Sequence, residues 1–169
     1  MHVYFDTCAL MRFAEGRASG ADERNLRGRE RVQELIRDST ISLATSEIAI
    51  IEFHEALGKD VRGNRFVGCD ETWLGQSIAD LMQLVAAGRV EIVPVPPRAL
   101  ESALVLMKTA HREHGIAFYA WDAVHLITAS AWATKLGSLV HLATCDSDYA
   151  RFFAKVPHFA KFIEVMMVV

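Results

Sequence analysis

The sequence offers little sulfur to build with. It has three cysteines, Cys8, Cys69 and Cys145, an odd count with no Cys-x-x-Cys pair. That argues against a disulfide frame or a cysteine zinc site and suits reduced thiols in a cytoplasm. Long apolar runs are missing as well. Charges interrupt each one within a dozen residues, too soon to span a bilayer. The opening MHVYFDTCAL carries an acid and no basic leading segment, so no secretory signal is expected. There is also no basic excess: 18 Lys and Arg stand against 21 Asp and Glu, a net charge of −3. Proteins that grip phosphates usually carry a positive surplus. A cluster of metal-binding acids would lower the total while leaving a basic patch elsewhere, so net charge decides little. Repeats, low-complexity tracts and interdomain linkers are absent too.

What is present reads as one compact globular domain over residues 1–169, with 51% hydrophobic and 23% charged residues. Short apolar runs alternate with longer stretches of helical period, the signature of a mostly parallel sheet covered by helices. The pattern predicts strands at 2–6, 40–44, 90–95, 139–143 and 161–168. It predicts helices at 8–15, 28–38, 46–57, 71–87, 97–114, 119–136 and 148–155. Gly58, Gly88, Gly115 and Gly137 each follow a helical run, where a left-handed cap favours glycine. Pro97 falls at an expected first helical position. Segments 16–28 and 58–70, rich in Gly, Arg and Asp, read as loops or frayed ends. Within 58–76, Arg62 and Arg65 beside Phe66 and Trp73 would suit a flap that grips RNA. The plainer reading is a solvent loop with both aromatics tucked onto the core.

Acids in apolar settings carry the chemistry. Asp6 ends the first strand, where ligands bind in open α/β sheets, although an Asp before a helix also serves as an N-cap. Asp146 follows a later strand in LATCDSDYARF and would converge with Asp6 if those strands are neighbours. Asp148 is a fifth candidate, with an Asx turn or helix start as its ordinary role. Glu52 lies among Ile48, Ile51, Phe53 and Leu57 in SEIAIIEFHEALG, a costly place for an unpaired charge. Asp122 sits among Tyr119, Trp121, Val124 and Leu126, in helical turns that also favour acids through the dipole. His125, one turn on, could orient a carboxylate, reach a phosphate or be a satisfied core histidine.

If Asp6, Glu52, Asp122 and Asp146 converge, they repel one another unless a cation joins them. Hard divalent ions such as Mg²⁺ or Mn²⁺ take oxygen ligands of this kind. Such ions promote phosphodiester hydrolysis. Thr144 and Ser147 bracket Asp146 and could bond a metal water or a carboxylate. Other chemistries fail on spacing. A haloacid-dehalogenase-type phosphatase needs an aspartate where Cys8 stands, and a cysteine phosphatase needs an arginine where Ala14 stands. His111 and His114 fit a solvated helix end.

The strings VYFDTCALM, SEIAIIEFHEAL, WDAVHLITASAW and LATCDSDYARF resemble, in order, the four acidic motifs of PIN-domain ribonucleases, especially the VapC type of toxin–antitoxin systems. The resemblance covers residue 3 to about 155. It maps the family's acids onto Asp6, Glu52, Asp122 and Asp146, with Asp148 as an addition. It implies a three-layer α/β/α fold with a five-stranded sheet ordered 3-2-1-4-5, and Mg²⁺ or Mn²⁺ as cofactor. It further implies an RNA substrate, frequent homodimers and, for toxins, a small antitoxin whose tail blocks the site. A module of the same fold that binds RNA or protein without cutting is the alternative. The intact acid set argues against it. The chain is longer than compact toxins of this type, with the excess in 16–28 and 58–76.

Overall fold

The computed structural model describes residues 1–15, 23–63, 65, 69–156 and 162–169. Its elements run β1 (His2–Phe5), α1 (Thr7–Glu15), α2 (Glu23–Arg37), β2 (Ser42–Ser46), α3 (Glu47–Gly63) and α4 (Glu71–Ala86). Then come β3 (Val90–Val93), α5 (Ala99–His114), α6 (Ala120–Leu136), β4 (Val140–Thr144), α7 (Ser147–Lys155) and β5 (Ile163–Met167). The strands form one all-parallel sheet in the order β3-β2-β1-β4-β5. This is the three-layer α/β/α arrangement and strand order of a PIN-like fold. Because β1 pairs with β4, Phe5 opposite Ala143, the acids that follow these two strands share one edge of the sheet.

Side chains alternate between the two faces, as the two-residue strand period demands. Val3 and Phe5 of β1 join Leu10, Phe13, Leu35, Phe53 and Leu81 in a core beneath α1–α4. Tyr4 points the other way, into a core with Val124, Leu126, Trp132, Leu142, Tyr149 and Phe152 beneath α5–α7. No helix among the described residues is long and apolar enough to cross a membrane.

Several boundaries differ from the sequence reading for local reasons. Strand β2 starts at Ser42, not residue 40, because the Thr40 amide and hydroxyl bond Asp38 Oδ1 in a turn, at 2.9 and 2.6 Å. Strand β3 stops at Val93, just before Pro94, which has no N–H for the ladder. The expected loop 16–28 is helical from Glu23 onward, while 16–22 lies outside the described residues. This first part of α2 shows only polar side chains plus Leu26, which is 43% exposed, so its period was invisible. It packs through Gly28, where an added Cβ would lie 2.9 Å from Arg12 Cδ. Gly58 is no cap: α3 runs on through it to Gly63, supported by the Glu55–Lys59 pair at 2.9 Å. Gly88, Gly115 and Gly137 do adopt the left-handed conformation, with φ of 67°, 65° and 65°. Pro97 precedes α5 in a turn and is not its first residue.

Arg89, which no sequence pattern marks, clamps the end of the sheet where β3 begins. Its guanidinium donates to the carbonyls of Ile36, Ile41 and Leu35 at 2.6 Å each and of Asp38 at 2.8 Å. Carbonyls left over at the end of α2 are thereby satisfied just where β3 begins.

Candidate active site

The two strand-end acids are held by the helices they start. Asp6 is 2% exposed, and its Oδ1 accepts from the Ala9 amide at 2.8 Å. Asp146 Oδ1 accepts from the Asp148 amide at 2.8 Å, capping α7. Both therefore fill the ordinary capping role, and capping fixes them at the sheet edge without removing their charge. Buried Thr144 joins them: it hydrogen-bonds the Asp6 carboxylate and accepts from the Asp146 amide at 2.9 Å.

Asp122 enters from the first turn of α6, where its Oδ2 accepts from the Tyr119 amide at 3.2 Å. The Tyr149 hydroxyl donates to the Asp122 carbonyl at 2.9 Å, tying α6 to α7. Tyr119 and Trp121 are 79% and 45% exposed, so the apolar surroundings read around Asp122 come from Val124 and Leu126 alone.

These acids feel one another. Burial raises the Asp6 carboxyl from 3.8 to about 6; the His125 ring and the bonds from Thr144 and Ala9 oppose the shift, and Asp146 adds to it. Burial likewise raises Asp122 to about 6, helped by the charges of Asp146 and Asp6. Crowded carboxylates that hold protons near neutrality mark a place where a cation is electrostatically welcome.

Glu52 is placed differently. From α3 its Oε2 accepts from the Thr7 hydroxyl at 2.7 Å and faces His125 Nε2 at 2.7 Å. A carboxylate only accepts, so Nε2 carries the hydrogen. The other ring nitrogen, Nδ1, lies 3.0 Å from the Tyr4 hydroxyl, which donates to Ser46 Oγ at 2.9 Å. His125, 2% exposed, thus has a polar group beside each ring nitrogen and orients a candidate acid. The apolar face proposed for Glu52 is half right: Phe53 and Leu57 are buried, but Ile51 is 67% exposed.

Tyr4, Thr7 and Ser46 are neighbours of the candidate site to which the sequence pattern assigns no role. A tyrosine at a strand's inward position was the available signal, because a buried hydroxyl needs a partner. Asp148 turns aside to Arg151, 2.6 Å away. Ser147 is exposed at the start of α7. Of the residues proposed for the flap, Arg65 pairs with Glu15 and Asp60 at 3.2 Å each. Trp73 packs against the core, Arg62 lies in the last turn of α3, and Phe66 lies outside the described residues.

Among the described residues, no three His, Cys, Asp or Glu side chains stand close enough to ligate one ion as they are. The donor set at the edge is nonetheless all oxygen, with Asp6, Asp122 and Asp146 coupled by charge. That chemistry fits a hard cation that keeps several of its waters.

No family model and no curated protein matches the chain. Among solved structures it is similar to VapBC2 from Rickettsia felis bound to a DNA fragment from their promoter, with a TM-score of 0.57 and 16% identity over 98% of each chain. It is also similar to FitAcB from Neisseria gonorrhoeae, with a TM-score of 0.51 and 17% identity over 97% of this chain and 96% of that one. At such identities the likeness establishes a shared fold.

Proposed function

We propose that this chain is a metal-dependent ribonuclease that hydrolyses RNA phosphodiester bonds and is the toxin of a toxin–antitoxin pair. The observation that carries the reading is the coupled acid edge, where Asp6 and Asp122 both hold protons up to about pH 6. Ordinary helix caps are stabilised in their charged form, so capping alone would move these groups the other way. Asp6, Asp122 and Asp146 would hold Mg²⁺ or Mn²⁺. When bound, such an ion supplies positive charge for the phosphoryl oxygens and a more acidic water. The chain's part is positioning: the cap bonds and Thr144 aim Asp6 and Asp146, and Thr7 with His125 holds Glu52. Because two donors occupy Glu52 Oε2, a proton taken from an attacking water would go to Oε1.

The toxin assignment rests on the four motifs of the VapC type together with the fold shared with VapBC2 and FitAcB. It brings with it a small antitoxin as partner and a cytoplasmic site of action. A homodimer would use apolar surface the core leaves over, such as Leu100, Leu104 and Val105 on α5, which are 56–66% exposed. A monomer in light scattering at high micromolar concentration would refute the dimer.

A second reading is a PIN-like module that binds RNA or protein without cutting. It has one observation in its favour, the lack of a closed ligand set among the described residues. Asp122→Asn separates the two. The ribonuclease reading expects the wild type to cleave single-stranded RNA with Mn²⁺ and to melt higher in its presence. The variant should lose cleavage and most of that rise, yet fold at least as stably as wild type in EDTA at neutral pH. A variant that cleaves and responds to Mn²⁺ like wild type would falsify the site.

A further inference from the structure

Beside the acid edge, between α1 and α3, lies a cavity of about 510 Å³. It begins at Thr7, the residue that bonds Glu52, and at Cys145, the chain neighbour of Asp146, so it adjoins these two acids without being lined by them. One wall is apolar and sulfur-rich, formed by Cys8, Met11 and Ala56. The far end is polar. Glu15 and Asp60, with side chains 4% and 7% exposed, share the Arg65 guanidinium, and Arg12 pairs with Glu15 at 3.0 Å. Two buried atoms at this end, Arg12 Nε and Asp60 Oδ2, have no hydrogen-bond partner. The cations Lys59 and Arg65 stand at the mouth, 65% and 57% exposed.

We infer that this cavity is the subsite for a nucleoside next to the scissile phosphate of a bound RNA strand, an inference that rests on the ribonuclease reading. The volume exceeds that of one nucleoside and leaves room for water. The Met11 and Cys8 sulfurs suit the face of an aromatic base. The polar end offers a base edge both donors and an unpartnered acceptor. Lys59 and Arg65 sit where the backbone phosphates would leave the cavity. The lining carries Arg12, Lys59 and Arg65 against Glu15 and Asp60, a local positive excess of one in a chain of net charge −3, with Lys59 exposed and paired to exposed Glu55. A protein segment could occupy the same space, but the position of the cavity beside Glu52 and Asp146 favours the strand that carries the phosphate.

The test measures anisotropy of a fluorescein-labelled RNA decamer across a salt series, with Ca²⁺ in place of Mn²⁺. Ala56→Phe fills the cavity and should weaken binding at least about tenfold, while its Mn²⁺-induced rise in Tm stays that of wild type. Lys59→Ala should lower the slope of log affinity against log salt by about one. Lys59 is exposed, so this variant decides the matter if Ala56→Phe fails to fold. If wild type cleaves RNA and both variants bind it unchanged, the subsite is overturned, the ribonuclease reading stands, and the cavity is left to a protein segment. If wild type neither binds nor cleaves RNA, both fall together.

Discussion

The two edges of the sheet solve opposite problems. At the edge where β3 begins, one guanidinium satisfies four carbonyls, each within 2.8 Å. At the other edge, where β1 and β4 end, Asp6, Asp122 and Asp146 press like charges together in buried surroundings. The first arrangement lowers the energy of the fold. The second raises it whenever the acids are ionised, and is tolerated where something else arrives to neutralise them. A parallel sheet makes such a division natural, since all its strand ends point to the same side. The contrast teaches that pairing separates a charge that supports the fold from one that marks a candidate site. Arg89 is half-buried and its guanidinium is paired, whereas Asp6 is buried and left in conflict with its surroundings.

The contrast predicts opposite responses to mutation. Arg89→Met should cost the most, about 3 kcal/mol, because several carbonyls lose their donor together. Urea unfolding should show that loss while the Tm rise on adding Mn²⁺ stays unchanged. A variant as stable as wild type would remove Arg89 from the list of structural supports.

At the acid edge the sign reverses and depends on pH. In EDTA, the folded-state values near 6 lie above the usual 3.8 of the unfolded chain. The folded state therefore keeps protons that the unfolded chain has lost. The stability contributed by Asp6 and Asp122 is complete below pH 3.8 and disappears as pH rises through 6. For Asp6 this is on the order of 2 kcal/mol. Chemical denaturation between pH 4 and 7.5 should show the decline, and Asp122→Asn should flatten it. Equal slopes for variant and wild type would mean that Asp122 does not share in the conflict.

Smaller changes sharpen the boundary between the acid cluster and its support. Tyr4→Phe takes away the hydroxyl between Ser46 and His125 and should cost about 1 kcal/mol, since both former partners stay buried. It should also slow cleavage by loosening His125 beneath Glu52. A stability loss with wild-type turnover would restrict the network to folding. Asp148→Asn should do least, under about 0.5 kcal/mol, because its exposed pair with Arg151 is weak. A variant that no longer melts higher with Mn²⁺ would return Asp148 to the ligands.

The sequence by itself determined the layered class, because apolar period distinguishes strands from helices. It also marked the acids, because Asp and Glu stand out within apolar strings such as IIEFHEAL and FYAWDAV. The glycines at 88, 115 and 137 were legible for the same local reason, a conformation that other residues resist. The strand order 3-2-1-4-5 came from resemblance to a family, and only pairing in three dimensions established it here. Tertiary structure alone decided the rest. The clamp of Arg89 on α2 joins residues about fifty positions apart, and the line from Tyr4 through His125 to Glu52 spans three separate elements. No local pattern encodes such partners, because hydrogen bonds between distant segments depend on where the sheet and its two cores set them. The same holds for the acids' raised affinity for protons: composition places the carboxyl groups in the chain, but burial and neighbouring charge exist only once the strands have brought their ends together.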